Sequence, residues 1–129
     1  GVFFASGEGK VAFASRTDLA EATAKILTSE GHENKIYHLS NTQAYSFADV
    51  AIALSELAGK EVAYISPEPE AFAAALQQFG LPEHIIGMSL GFAAGIKNND
   101  FDLPSNELKE FLGREPKSLK TFLQEVYFN

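Results

Sequence analysis

A strand–helix–strand pattern in the middle of the chain constrains the fold more than any other feature of the sequence. Residues 35–40 (KIYHLS) form a compact strand signal, and Ser46 and Asp49 have the spacing of a helix capping box. The helix that follows keeps its apolar residues on one face and ends at Gly59. Residues 61–65 predict the next strand. Short connections of this kind predict a right-handed parallel crossover at the edge of an α/β sheet.

Two short apolar segments precede this pattern. Residues 2–6 and 10–15 flank a glycine-containing turn, and the second segment alternates in polarity as a strand does, so the sequence predicts a β-hairpin. A helical period begins after them. Ser15 and Asp18 are spaced as a second capping box, and Gly31 provides a stop signal for the helix.

The second half of the chain is mainly helical. We therefore predict a single domain over residues 1–129, with the hairpin and β/α crossover in 1–66 and helices in 67–129. Glycine recurs every fourth residue in one helix, at Gly87, Gly91 and Gly95. Each glycine costs about 1 kcal/mol relative to alanine, which predicts close approach of a backbone or a ligand. The predicted helices span residues 69–79, 82–97, 105–112 and 118–127.

Charge and composition exclude several classes of function. Ten Lys plus Arg against seventeen Asp plus Glu give a net charge of -7, which disfavours nucleic acids and anionic membranes as partners. The absence of cysteine excludes disulfides and thiol nucleophiles. The longest apolar runs are too short to cross a bilayer, so we expect no membrane association through a spanning helix.

No group of residues forms a complete catalytic motif. The Gly7-x-Gly9 pattern is followed by a strand signal and not by a helix, so it fits a turn better than a dinucleotide fingerprint. Ser89 lies between two glycines as in a nucleophile elbow, but no histidine follows it. The three histidines lack metal-ligand spacing, and no tyrosine has a lysine four residues later. We therefore assign no catalytic, cofactor-binding or metal-binding residue.

Five residues are candidates for contact with a substrate. Arg16 lies at a strand–helix junction, where it can pair with Asp18 or reach a ligand. Aromatic and methionine side chains in or beside the glycine-rich helix can wall an apolar site or pack in the core. The histidine in the first turn of that helix can line the same site or remain solvated. The candidate substrate-binding residues are Arg16, Phe79, His84, Met88 and Phe92.

Six segments in a fixed order resemble the C-terminal part of the NmrA-like family. These proteins are atypical short-chain dehydrogenases/reductases and include bacterial NAD(P)H:quinone oxidoreductases. The segments are GEGKVAFASRTDLAEA (7–22), KIYHLS (35–40), YSFADVA (45–51), LAGKEVAY (57–64), GLP (80–82) and LGREPKSL (112–119).

The resemblance implies an α/β fold: the substrate-side portion of a Rossmann-type reductase, with a few-stranded sheet and several helices. It implies that the dinucleotide-binding domain is absent from these residues and that NAD(P)H binds only in the full-length protein. Arg16 and Asp18 match the family's R-x-D-L-A segment, and residues 79–88 match the segment that lies over the substrate.

The same resemblance implies a cytoplasmic bacterial protein whose partner is a small molecule, a quinone-like compound, reduced by the full-length protein. We expect these residues alone to lack activity and dinucleotide binding, and to self-associate or dock onto the Rossmann domain. Two alternatives remain: a redox-sensing regulator that binds the dinucleotide without turnover, and a relative of sugar-nucleotide epimerases.

Overall fold

The computed structural model describes residues 1–129 and contains six helices and four short strands. The α/β class predicted from the sequence is confirmed. None of the helices combines the length and the apolar character that a membrane crossing requires. The elements are β1 Val2–Phe3, β2 Lys10–Val11, α1 Arg16–Leu27, β3 Tyr45–Ser46, α2 Phe47–Ala58, β4 Tyr64–Ile65, α3 Pro69–Gln78, α4 Glu83–Lys97, α5 Glu107–Leu112 and α6 Leu119–Tyr127.

The chain divides into two compact units, each built from two separate segments. The first unit contains Gly1–Val11 and Tyr45–Asp102, and the second contains Ala12–Ala44 and Leu103–Asn129. The first unit therefore holds all four strands with α2, α3 and α4, and the second holds α1, α5 and α6. The boundaries between these segments do not coincide with the predicted division after residue 66.

The strands of the first unit pair with partners far away in the sequence. β1 pairs in parallel with β4, with Val2 opposite Tyr64, and β2 pairs antiparallel with β3, with Lys10 opposite Ser46. The predicted hairpin of residues 2–15 is therefore wrong.

The turn between β1 and β2 explains why they do not pair with each other. The Tyr64 hydroxyl donates to the carbonyl oxygen of Gly7 (2.8 Å), and the Gly7 N–H donates to the Ser66 hydroxyl (2.8 Å). These bonds hold the turn against β4 and the residue after it, so the two arms lead to different strands.

The predicted strand at residues 35–40 is also wrong, and with it the crossover to residues 61–65. This segment forms no ladder with a neighbouring strand. Its bonds are isolated: the Lys35 N–H donates to the His32 carbonyl (3.2 Å), and the Ser40 hydroxyl donates to the Leu103 carbonyl (2.6 Å). Only Tyr64–Ile65 of the following strand forms, paired with β1.

Helix α2 forms as predicted. The Ser46 hydroxyl accepts the Asp49 N–H (3.1 Å), and the Asp49 carboxylate accepts the Ser46 N–H (2.9 Å), which completes the capping box. Gly59 ends the helix in the left-handed conformation with φ +68°. Local signals at both ends therefore determine this helix.

Each unit has its own apolar cluster. In the first unit, Ala5, Phe72 and Ala93 are buried together. The Phe4 and Phe72 rings meet edge to face, with their centroids 5.3 Å apart. This cluster packs α3 against α4 and supports α4 from its inner face. In the second unit, the buried cluster joins α1 to α5 through Ala22, Leu108 and Leu112.

Candidate functional site

The three glycines of α4 have different surroundings. A Cβ at Gly95 would lie 3.1 Å from Cε2 of the Phe101 ring, so glycine is needed there for close packing. A Cβ at Gly87 or Gly91 would meet nothing within 4 Å. The predicted close approach therefore explains Gly95, while Gly87 and Gly91 leave open space beside the helix.

A turn at the end of α4 brings Phe101 back over the helix. The Asp100 N–H donates to the Gly95 carbonyl (3.0 Å) and the Asn99 N–H to the Ile96 carbonyl (2.9 Å), with Asn99 at φ +62°. This is the Schellman arrangement of a helix C-terminus. It places the Phe101 ring centroid 6.1 Å from that of Phe92.

These residues form an apolar depression on the first unit, with a volume of ≈ 380 Å³. Met88 and Phe92 are about half exposed (53% and 51%), although both are large apolar side chains. Exposed apolar groups around an open depression are typical of a ligand-binding surface. Its lining residues are Met88, Gly91, Phe92, Gly95, Asp100 and Phe101, and we call it the α4 depression.

The three predicted substrate residues on α4 lie on one face of the helix. His84, Met88 and Phe92 are four residues apart, so they share one face of the helix, and His84 is exposed in its first turn. Met88 and Phe92 line the α4 depression, whereas His84 does not. Phe79, at the C-terminal end of α3, is 79% exposed and also lies outside the lining.

Arg16 is exposed at the start of α1, in the second unit. Its predicted ion pair with Asp18 is wrong, because the partner of Asp18 is Arg114. The Arg114 Nη2 lies 2.8 Å from the Asp18 Oδ1, and the Lys117 N–H donates to the Asp18 Oδ2 at 2.7 Å. The Asp18 side chain, which the sequence assigns to a capping box, thus joins the start of α1 to the segment between α5 and α6.

Asp18 is a buried carboxylate with three hydrogen-bond donors around it. Burial acts to raise its pKa, but the Lys117 N–H and the Arg114 guanidinium outweigh burial and lower the pKa below its ordinary value. The same contact raises the pKa of Arg114. Both groups are therefore charged at neutral pH, and the pair is structural.

Sequence reasoning missed Phe101 and Asp100 as part of the site. Both follow α4 in a polar segment that resembles a solvated loop, and only the Schellman turn folds them back onto Gly95. The available signal was Gly95 itself, since a helical glycine indicates a close neighbour.

A second, larger depression of ≈ 700 Å³ lies around the Gly7 turn, but four of its polar side chains are already hydrogen-bonded within the protein. Ser46 and Asp49 complete the α2 capping box, and Tyr64 and Ser66 hold the turn. No three His, Asp or Glu side chains converge as metal ligands. The α4 depression is therefore the stronger candidate for a ligand site.

No family model matches the chain. Quinone oxidoreductase 2 of Escherichia coli is 32% identical over 128 residues, which is 98% of this chain and 45% of that protein. The crystal structure of the NADPH complex of that enzyme superposes with a TM-score of 0.93 at 30% identity, covering 98% of this chain and 44% of the other.

Two further relatives are an azoreductase and a triphenylmethane reductase. The NAD(P)H azoreductase of Xenophilus azovorans is 40% identical over 79 residues, which is 61% of this chain and 28% of that protein. The triphenylmethane reductase of Citrobacter sp., solved with NADP(H), has a TM-score of 0.91 at 30% identity over 97% of this chain and 44% of its own.

The chain spans less than half the length of these relatives. The similarity nevertheless extends over nearly all of its own residues, through both compact units. The aligned region is the C-terminal part of the relatives. The resemblance carried by the sequence motifs is thereby confirmed: over nearly its whole length, the chain is similar to the C-terminal part of quinone oxidoreductase 2 and of related Rossmann-type NAD(P)-dependent reductases.

Proposed function

We propose that the chain provides the substrate side of an NAD(P)H-dependent oxidoreductase that reduces flat, conjugated electron acceptors such as quinones. The observation that carries this proposal is the α4 depression, an open surface of aromatic rings and one thioether beside two helical glycines with free space. The names of the relatives support it, since each acts on, or is named for, a conjugated acceptor.

The shape of the depression suits a planar ring. Gly91 offers no side chain, so a flat ligand can lie close to the helix backbone, while Phe92 and Phe101 offer ring faces or edges for stacking. Met88 adds an adaptable apolar contact. In this proposal these side chains orient the acceptor and exclude water from it.

His84 and Phe79 have roles at the border of this site in our proposal. His84 is one helical turn before Met88 on the same face, where its ring can donate a hydrogen bond to an acceptor oxygen. Phe79 is largely exposed and close in sequence to α4, and we assign it an apolar contact with the far side of the ligand. Arg16 remains a predicted substrate contact.

The dinucleotide is assigned to polypeptide outside these residues. The Gly7–Gly9 turn leads into β2 and not into a helix, so it lacks the helix N-terminus that holds a pyrophosphate. The amides of its two glycines are already bonded, to the Ser66 hydroxyl and the Ser6 carbonyl. NAD(P)H would supply the reducing electrons, and this chain would hold the acceptor.

The test uses the complete gene product that contains this chain. We expect NADPH oxidation, followed at 340 nm, to depend on an added quinone such as menadione. Phe92→Ala should raise the KM for the quinone about tenfold, because it removes one stacking surface. Ile52→Ala is the matched control, since Ile52 is 58% exposed on α2 and does not line the depression.

Three outcomes would contradict the proposal. A protein that binds NADPH but oxidises none of it in the presence of acceptors would be the redox sensor. An unchanged KM in Phe92→Ala would remove the α4 depression from the acceptor site. Micromolar binding of NADPH by the 129-residue chain in titration calorimetry would contradict the assignment of the dinucleotide to other polypeptide.

A further inference from the structure

One charged residue lies in the α4 depression, and it is acidic. Asp100 lines the depression together with the Phe92 and Phe101 rings. Its Oδ1 accepts a hydrogen bond from the Asn98 side-chain amide (2.9 Å), while its Oδ2 lies 3.5 Å from the position of a Cβ on Gly95. The exposed Asp100 carboxylate therefore lies beside Gly95 in the lining of the depression.

The other groups in the depression also favour positive charge. The face of a phenylalanine ring is the negative part of its quadrupole and attracts cations within about 6 Å of the centroid. The thioether of Met88 is polarisable and has no donor hydrogen. No group that lines the depression carries a positive charge, so an anionic ligand gains no ion pair there.

The nearest lysine in the sequence points elsewhere. Lys97 ends α4, but its aliphatic carbons pack over Gly7, with Cγ 3.4 Å from the position of a Cβ there. The first unit as a whole carries three lysines and nine acidic residues, so its net charge of -6 accounts for nearly all of the net charge of -7 of the chain. The field around the depression has the same sign as the local carboxylate.

We propose that the α4 depression selects flat organic cations over anionic acceptors of the same shape, with Asp100 as the specificity-determining residue. This inference rests on the proposed function and specifies its substrate class: delocalised aromatic cations, whose charge is spread over the ring system that stacks on Phe92 and Phe101. Sulfonated or carboxylated analogues are disfavoured by the same carboxylate.

The test measures equilibrium binding to the 129-residue chain, without NADPH. The probes are a planar cationic dye and a sulfonated, net-anionic dye with the same ring system, titrated at low salt and followed by their absorbance shifts. We expect the cationic dye to bind at least tenfold more tightly. Asp100→Asn should weaken the cationic dye about two- to fivefold, the range for one partly exposed charge pair, and strengthen the anionic dye.

Asp102→Asn is the matched control. It removes the same charge two residues later from a position that does not line the depression, so the ratio of the two dissociation constants should stay at the wild-type value. Phe101→Leu should weaken the binding of both dyes. The dissociation constant of the anionic dye should remain above that of the cationic dye. Far-UV circular dichroism of each variant checks that α4 is retained.

The inference is overturned if the anionic dye binds as tightly as the cationic one, if Asp100→Asn leaves the ratio unchanged, or if neither dye binds at millimolar concentration. These results differ from a failure of the proposed function, which is an absence of acceptor-dependent NADPH oxidation by the complete gene product. A protein that binds cationic dyes without turnover would retain the depression as a cation site and lose the reductase.

Discussion

Asp18 joins two distant segments of the second unit. It is 2% exposed, and its two carboxylate oxygens accept bonds from the Arg114 guanidinium and the Lys117 N–H. Its own N–H donates to the Ser15 hydroxyl at the start of α1. One side chain therefore fixes the beginning of a helix to a segment that follows it by almost a hundred residues.

We expect Asp18→Asn to lower the free energy of unfolding by about 1–3 kcal/mol at pH 7, because the Arg114 guanidinium and the Lys117 N–H lose a buried, charged acceptor. Urea unfolding followed by circular dichroism measures this. Glu21→Gln is the control: Glu21 is 44% exposed and 3.4 Å from Arg114, so its loss should change stability by less than about 0.5 kcal/mol. Equal losses in the two variants would refute a special role for Asp18.

The pH dependence of stability follows from the same residue. The pKa of Asp18 is lower in the folded chain than its ordinary value of 3.8, so the unfolded chain binds the proton more readily. The contribution of Asp18 is therefore complete above pH 4 and is lost as the pH falls below it. Wild type should lose stability between pH 4 and pH 2 more steeply than Asp18→Asn, and parallel curves would contradict this assignment.

At the scale of single elements, the fold requires the glycine that packs against the end of α4 but does not require two of the glycines within that helix. The turn before β2 approaches the end of α4 so closely that a Cβ on Gly9 would overlap the Ile96 carbonyl oxygen. In contrast, a Cβ on Gly87 or Gly91 would meet no atom within 4 Å. The contact between Gly9 and Ile96 packs parts of the first unit together, whereas Gly87 and Gly91 leave part of the α4 surface uncovered.

We therefore expect opposite effects from two alanine substitutions. Gly9→Ala should destabilise the chain by about 1–3 kcal/mol, since backbone atoms must move. Gly91→Ala should stabilise it by about 0.5–1 kcal/mol through helix propensity, yet weaken ligand binding because the new methyl group enters the α4 depression. Thermal unfolding and dye titration measure the two effects. A destabilised Gly91→Ala would contradict the open space at this position, and unchanged dye binding would contradict its role in the ligand site.

The helices were predictable from the sequence because their signals are local. Ser46, Asp49 and Gly59 define both ends of α2 within fourteen residues. The strands were not predictable, because β1 takes its register from Tyr64 and Ile65, and no local pattern records that pairing. Met88 and Phe92 became candidates because they lie in the glycine-rich helix, whereas Phe101 and Arg114 meet their partners only through the folded chain.

At the scale of the whole molecule, the two-stranded β1–β4 sheet is short and carries exposed apolar residues. Phe3 lies opposite Ile65 in the β1–β4 pair, and they are 40% and 54% exposed. A two-stranded sheet of this length offers unpaired edges to other chains, and exposed apolar residues add to the attraction between them. The 129-residue chain should therefore self-associate in solution.

Light scattering at increasing concentration tests this expectation, with an average mass above that of the 14.0 kDa monomer as the predicted result. Ile65→Lys should shift the chain toward the monomer. Ile52→Lys places the same charge on α2 at a residue of similar exposure, 58%, and should leave association unchanged. A strictly monomeric wild type would count against the exposed sheet as an interface.

The path of the chain through the two units also sets an order of events during synthesis. Residues 12–44 are made before Tyr45–Asp102 of the first unit, but Leu108 and Leu112, which bury Ala22, are made only after Asp102. Helix α1 must therefore wait, with one face uncovered, while residues 45–102 are translated. A nascent chain that stalls before α5 has left the ribosome would present an unprotected α1, the state in which a chaperone or a protease would meet this protein.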